Sequence, residues 1–350
     1  MRLVLALSLT GLSLAAQSDL RGLLESGHYR RAQSSAEQRL KANSNDSEAH
    51  YALSVARYRA GDLDGALSPA EKAVSLNPKD AEYHSHLAQV VGSQAQRASV
   101  FRQLGLAKRC RAELDAALAL DPRHFEANIT LMLFLLKAPS LFGGDKTRAR
   151  SIPDAIAKYD PSNGFVAKAR LTKEENSQAN VLDLHRKAAE ANPKNFRAQT
   201  AYLNSLLNDG RNLDEAERLA RQLIQQFPDR YDGYGFLAAR YAAAARWNEM
   251  ETTLLEVRKL IPDNLAPFLT IARNLLRDGK ELQRAETYLN LYLAKEPEYG
   301  TAPHFYAHWL LGLVYEKQAR KLEAIAQMEK SLELKSDFED AKKDLKRLRS

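Results

Sequence analysis

The sequence predicts an all-α solenoid of about nine helix–turn–helix units, some with insertions, ended by a C-terminal capping helix. Three observations predict it. A helix-breaking proline recurs roughly every 34 residues, in Asn77-Pro78, Asp121-Pro122, Asp160-Pro161, Asn192-Pro193, Phe227-Pro228, Ile261-Pro262 and Glu296-Pro297. A small residue stands at the same distance before most of these prolines: Ala66, Cys110, Ala149, Ala216 and Ala285, with Val181 and Met250 as exceptions. Between the landmarks, apolar residues return at helical period and polar turns interrupt them.

Ala49 to Pro78 is the clearest unit. Leu53, Ala56 and Ala60 stripe its first helix, Gly61-Asp62 breaks the run, and Ala66, Ala70, Ala73 and Val74 stripe the second. A shorter unit precedes it, with Asp19 to Glu25 and Tyr29 to Ala42 as helices around Ser26-Gly27-His28; as an end unit it is expected to present a polar outer face. The third unit is too long, and the polar GSQAQRAS between Gly92 and Phe101 is expected as a projecting loop. In the fourth, Phe125 to Lys137 is apolar nearly all round, which predicts deep burial or the lining of an apolar groove. The fifth is short, with a polar connection at 173–181. Units six to eight are regular, with turns at Asp209-Gly210, Arg246-Trp247-Asn248 and Asp278-Gly279. A ninth unit follows the loop EPEYGTAP, and a last helix from Phe338 to Leu348 turns Ala341, Leu345 and Leu348 inward.

Composition agrees with this plan. The 350 residues are 45% hydrophobic but only 8% aromatic, as suits helices packed on Ala and Leu. At the N-terminus, Arg2 precedes an apolar run from Leu3 to Leu14, and Ser13 and Ala15 are small residues placed as a cleavage pair. Residues 1–16 are therefore expected to be a secretory signal peptide, residues 17–336 the solenoid and residues 337–350 the capping helix and tail. The apolar run is shorter than the ~20 residues that span a bilayer, so no transmembrane anchor is expected. Cys110, the single cysteine, reads as a core residue.

The net charge of +7 is uneven. Arg97, Arg102, Lys108, Arg109 and Arg111 fall in a stretch without an acid and offer contact with an anionic surface. No groove-reading motif accompanies them, so nucleic acid is not the expected partner. Catalytic constellations are also missing: there is no Gly-x-Ser-x-Gly elbow, dinucleotide fingerprint or Cys–His motif. His304 and His308 share a helical face but have no spaced third ligand, and His84 and His86, two apart, read as surface residues. Gly143-Gly144 before Asp145-Lys146-Thr147 lacks Walker spacing, so Asp145 reads as a helix cap. Neither an enzyme nor a cofactor is expected.

The period and the small residues resemble the tetratricopeptide repeat, best in the last unit with Leu311-Gly312, Tyr315 and Ala324. The resemblance implies a right-handed superhelix. Ala138-Pro139 leading to Gly143-Gly144-Asp145, with the ending HWLLGLVYEKQARKLEAIAQMEKSLEL at 308–334, resembles a group of secreted bacterial tetratricopeptide proteins without an assigned activity. The insertion near 138–145 also resembles the periplasmic repeat component that accompanies certain solute transporters.

Repeat arrays present a concave wall made mostly by the first helix of each unit, along which peptides or helices lie. In register with the repeats, the expected wall residues are Tyr51, Val55, Tyr58, Ile129, Leu133, Leu136, Asn274, Arg277, Tyr306, Trp309 and Leu313. Tyr306 and Trp309 stand where chaperone-binding relatives carry the Lys and Asn that grip a terminal carboxylate, so capture of C-terminal tails is not expected. The functional expectation is an exported bacterial scaffold or adaptor for a protein or peptide partner. The alternatives are a periplasmic solute-binding accessory with an apolar cavity near Leu131 to Leu141 and an envelope hydrolase acting from the irregular loops.

Overall fold

The computed structural model describes residues 19–350, so the expected leader lies outside the described residues. Eighteen helices form nine antiparallel hairpins, and a nineteenth ends the chain. In order the hairpins are α1 (Leu20–Glu25) with α2 (Tyr29–Ala42), α3 (Ser47–Arg59) with α4 (Leu63–Leu76), and α5 (Ala81–Arg97) with α6 (Val100–Leu120). Then come α7 (Phe125–Lys137) with α8 (Lys146–Ala157), α9 (Pro161–Glu175) with α10 (Leu182–Ala191), and α11 (Phe196–Asp209) with α12 (Leu213–Gln226). The last three are α13 (Asp232–Ala243) with α14 (Trp247–Leu260), α15 (Ala266–Asp278) with α16 (Leu282–Leu293), and α17 (His304–Lys317) with α18 (Lys321–Leu334). The capping helix is α19 (Glu339–Arg349). Each hairpin packs on the next, and the whole is a right-handed superhelical solenoid of tetratricopeptide type.

The recurring small positions are where the helices meet. Ala66, Ala149, Ala216 and Ala285 are fully buried, as are Ala32 and Ala324 in the first and last units, and Cys110 is buried in the same register. A larger side chain at these points would hold the paired helices apart. Three apolar clusters run through the stack, one from Leu20 to Tyr83, one from Ala70 to Leu171 and one from Ala189 to Leu348.

Helix starts are fixed differently in the two halves. Asp46, Asp62, Asp145 and Asp160 each accept a hydrogen bond from a backbone N–H of the helix they precede, which contributes about 1 kcal/mol per cap. From α12 onward no helix has a side-chain cap. There the long C-terminal cluster, rich in buried Tyr, Phe, Leu and Ile, holds the helices instead.

Three expectations are corrected. No loop projects at Gly92 to Phe101, because α5 continues to Arg97 and α6 starts at Val100, leaving Ala98 and Ser99 as the connection. Gln, Ala and Arg are good helix formers and no proline interrupts them, so the extra residues lengthen both helices. The turn of unit seven is Ala244-Ala245-Arg246, with Ala245 at φ 55°, while Trp247 and Asn248 open α14. The first unit is also more than a solvent-facing end. The end of α1 and the α1–α2 turn dock on the connector that follows α12, and the start of α2 docks on those that follow α14 and α16, so the solenoid completes one turn and touches itself.

That closing contact is polar and complementary. Arg30 donates its backbone N–H to Glu298 at 3.0 Å and its Nε to the Pro297 carbonyl at 2.6 Å, with the guanidinium 4.4 Å from the Tyr299 ring centre. Arg31 Nε donates to Asp263 at 2.7 Å, and Tyr299 donates its hydroxyl to Gln33 at 2.8 Å. Ser26 bonds Asp229, and Arg230 bonds the Glu25 carbonyl.

Two glycines test the helix packing with opposite signs. A Cβ on Gly164 of α9 would lie 2.6 Å from the Ala157 Cα, whereas one on Gly105 of α6 would meet nothing within 4 Å. Gly164→Ala is expected to destabilise by about 1–3 kcal/mol through forced separation of α8 and α9. Gly105→Ala is expected to stabilise by about 0.5–1 kcal/mol through helix propensity. Chemical denaturation of the two variants checks both signs.

Candidate functional site: the inner wall

Three clefts follow one another along the first helices of units two to nine. The first, about 830 Å³, is lined by α3, α5, α7, α9 and α11, with part of α6. The next, about 490 Å³, lies on α11, α13 and α15. A cleft of about 680 Å³ then lies between α15 and α17. Thr200 and Arg197 of α11, and Asn274 of α15, make the clefts continuous.

The structure distributes the expected wall residues over these clefts. Tyr58, Ile129 and Leu133 line the large one, and Asn274, Arg277, Tyr306, Trp309 and Leu313 line the cleft between α15 and α17. Tyr51 is buried within the stack and donates its hydroxyl to Glu82 at 2.9 Å. Val55 and Leu136 are half-buried and pack on the apolar clusters behind the wall. Trp309 packs at 5.4 Å between ring centres from Tyr306 and donates Nε1–H to Asp344 of α19 at 2.9 Å, so the capping helix fixes its orientation.

The sequence pattern did not reveal the charges of the wall. Arg59, Lys137, Arg170 and Arg197 line the large cleft with Glu126 as its one acid. Lys137 and Arg170 share Glu174, which lowers the Glu174 pKa chiefly through the Lys137 hydrogen bond. Arg197 pairs with Glu126 and lies 4.4 Å over the Phe125 ring. The cleft beyond α15 repeats the combination, with Arg273, Arg277 and Lys317 beside Tyr306, Trp309 and Leu313. Cations at known helical spacing were visible in the sequence; which of them share a cleft depends on how neighbouring hairpins stack.

Histidines fall differently from expectation. His86 is buried, not superficial: Tyr51 and Tyr58 pack edge-on against it at 5.5 and 5.8 Å. Ser54 donates its hydroxyl to the Ala66 carbonyl, so its oxygen is free to accept Nε2–H of His86 at 2.8 Å. That fixes the neutral tautomer, and burial pushes the His86 pKa down to about 4. His84, half-buried, bonds Glu113 at 2.6 Å. His304 bonds the Lys295 carbonyl and His308 bonds Gln327, so each is separately engaged. Cys110 lies behind the large cleft, donates to the Ala88 carbonyl and has its thiol pushed up to about 11 by burial. A thiol so protonated is a packing group at neutral pH.

Of the basic cluster, Arg109 pairs with Glu71 and Arg111 with Asp115. Arg97, Arg102 and Lys108 are exposed on the long α5–α6 hairpin, beside the exposed Val100 and Phe101. Asp145 caps α8 by accepting from the Arg148 N–H at 2.9 Å, as read from the sequence. No helix among the described residues is long and apolar enough to cross a membrane.

Residues 20–81 and 305–338 match family models described as tetratricopeptide repeat. No curated protein matches the chain. Among solved structures, the chain is similar to a thermophilic tetratricopeptide protein of Thermus thermophilus at 22% identity, covering 54% of this chain and 95% of that one, with a TM-score of 0.44. Yeast Tom70 is similar at 14% identity, covering 95% of this chain and 87% of that one, with a TM-score of 0.48. A human IFIT1 dimer with PPP-AAAA is similar at 16% identity, covering 91% and 71%, with a TM-score of 0.40.

Protonation of His86 in the unfolded chain near pH 6.5, against about 4 in the folded one, makes stability fall with acid. The contribution is complete above pH 6.5 and lost as pH falls toward 4, on the order of 3 kcal/mol. Denaturation of wild type and His86→Phe between pH 7 and 4 is expected to show this slope in the wild type only. The Phe variant leaves Ser54 bonded to Ala66, so it strands no hydroxyl.

Proposed function

We propose that this chain is an exported bacterial scaffold whose inner wall holds an extended, acidic and partly apolar segment of a partner protein. The observation that carries the reading is the pairing of cations with apolar and aromatic side chains in the first and the last of the three clefts on the first helices. Apolar lining supplies affinity through burial, while Arg and Lys select carboxylates and set the direction of approach. A wall of this length suits a chain segment more than a single compact molecule. Export is supported by the charged and apolar N-terminal leader with its small-residue cleavage pair. The resemblance to secreted bacterial repeat proteins points the same way. The exposed cations and Phe101 at the end of the α5–α6 hairpin offer a second contact, with an anionic surface.

The small-ligand alternative is not favoured by the cleft touching Leu133, Phe134 and Pro139, which is open and carries four cations. At the second insertion, the one acid on which the hydrolase alternative rests, Asp145, is engaged as the cap of α8.

A photoreactive side chain at Tyr58 or Trp309 is expected to capture a protein in cells of the source bacterium, while one at Lys343 on the capping helix captures none. Arg59→Glu with Lys137→Glu is expected to abolish capture from Tyr58 and leave thermal stability near wild type. Equal capture from wall and control positions would contradict the reading. Separately, N-terminal sequencing of the exported protein is expected to begin near Gln17, and retention of Met1 would contradict leader cleavage.

A further inference from the structure

The closing contact between the first unit and the connectors of units seven and eight contains a set of side chains that the scaffold reading does not use. His28, Asp263 and Glu298 each place one ligand atom within 4.8 Å of the others. His28 is 4% exposed and Glu298 3%. Glu298 Oε1 accepts backbone N–H groups from Arg30 at 3.0 Å and Tyr299 at 2.8 Å, while Oε2 is buried with no partner among the described residues. Asp263 is arranged in the same way. Its Oδ2 accepts from Arg31 at 2.7 Å and faces His28 Nδ1 at 2.8 Å, while Oδ1 is buried and unpartnered among the described residues.

Two carboxylates therefore each have one oxygen oriented by donors and one oxygen bare. Leaving a buried carboxylate oxygen unpaired is costly, and this one contact holds two such oxygens. Residue packing does not explain the pair, since Arg30 and Arg31 both engage the opposite oxygens or the Pro297 carbonyl. One oxygen held by donors and the other left free is how a carboxylate ligand is kept available to an ion.

We propose that His28, Asp263 and Glu298 form a binding site for a divalent transition ion of the zinc type, which fastens the first unit to units seven and eight. One imidazole nitrogen with two carboxylate oxygens suits such an ion better than the all-oxygen shells of Ca²⁺ or Mg²⁺. Ligand atoms on one tetrahedral zinc ion lie roughly 3.4 Å apart, given bonds of about 2.1 Å, so the three ligand atoms, now within 4.8 Å of one another, need to approach by at most about 1.4 Å. Water completes the coordination. The ion neutralises the two carboxylates, leaving Arg31 as an outer partner of Asp263.

The test uses the purified full chain after chelation and removal of the chelator. Titration with Zn²⁺ by calorimetry is expected to show one site per chain, with a raised melting midpoint and slowed amide exchange at residues 28–33. Co²⁺ is expected to bind at the same site and give a visible absorption band. Glu298→Gln keeps the size of the side chain and its contact with the Arg30 N–H, and is expected to weaken Zn²⁺ binding at least about tenfold and remove the Co²⁺ band. His304→Ala, at the other histidine pair, is expected to bind as wild type does. Absence of Zn²⁺ binding by the wild-type chain would overturn the proposal, as would undiminished binding by folded Glu298→Gln, which would place the ion elsewhere. Circular dichroism of the variant establishes that it is folded.

Discussion

No hairpin in this chain can bury its apolar face alone, and everything else in the structure follows from that constraint. Ala66, Ala149, Ala216 and Ala285 allow the paired helices to approach, and the exposed stripe left by each pair is covered by the next. Each added unit turns the stack by a small angle, and the turns sum to a circuit. That brings the connectors behind α12, α14 and α16 to the α1–α2 turn and the start of α2. The contact made there is of another kind: Arg30, Arg31 and His28 meet Asp263, Glu296 and Glu298. Local apolar packing thus sets the curvature, and long-range polar pairing fixes it.

Fixed curvature matters for the inner wall. An open solenoid flexes along its length, and a partner that binds it must bear the cost of choosing one curvature. A turn held at both ends keeps α3, α7, α11, α15 and α17 in constant relation, so the clefts they line are formed in advance. Trp309 shows the same logic locally, since Asp344 of the capping helix holds its indole against Tyr306.

The repeat architecture was legible in the sequence because its determinants are local. Proline positions, small residues and apolar stripes all act within one unit, and the nine hairpins and the capping helix follow them. Failures occurred where a residue's role depends on another unit. GSQAQRAS is polar, yet nothing in it breaks a helix, so polarity alone mistook a lengthened hairpin for a loop. His86 looked superficial because its acceptor, Ser54, lies thirty-two residues earlier on a different hairpin. Tyr51 fitted the wall register, but Glu82 of the next unit draws its hydroxyl inward. Arg30 and Glu298 are separated by 268 residues, a pairing no periodicity announces. Of the expected wall positions, Tyr58, Ile129, Leu133, Tyr306, Trp309 and Leu313 line clefts while Tyr51, Val55 and Leu136 pack into the stack, and the grouping of Arg59 with Lys137, Arg170 and Arg197 needed the stacking of five first helices.

The claim on which the rest depends is that the described chain closes on itself in solution. Ser26→Cys with Asp229→Cys places two thiols at the closing contact in a protein whose one native cysteine, Cys110, is buried. A short bis-maleimide is expected to link the pair within one molecule at low protein concentration, giving a monomer of altered mobility on a denaturing gel. Neither single variant should give that species. Failure of the double variant to crosslink, with both thiols reactive toward a monofunctional maleimide, would mean that the solenoid is open, and the fixed wall and the proposed ion site would fall with it.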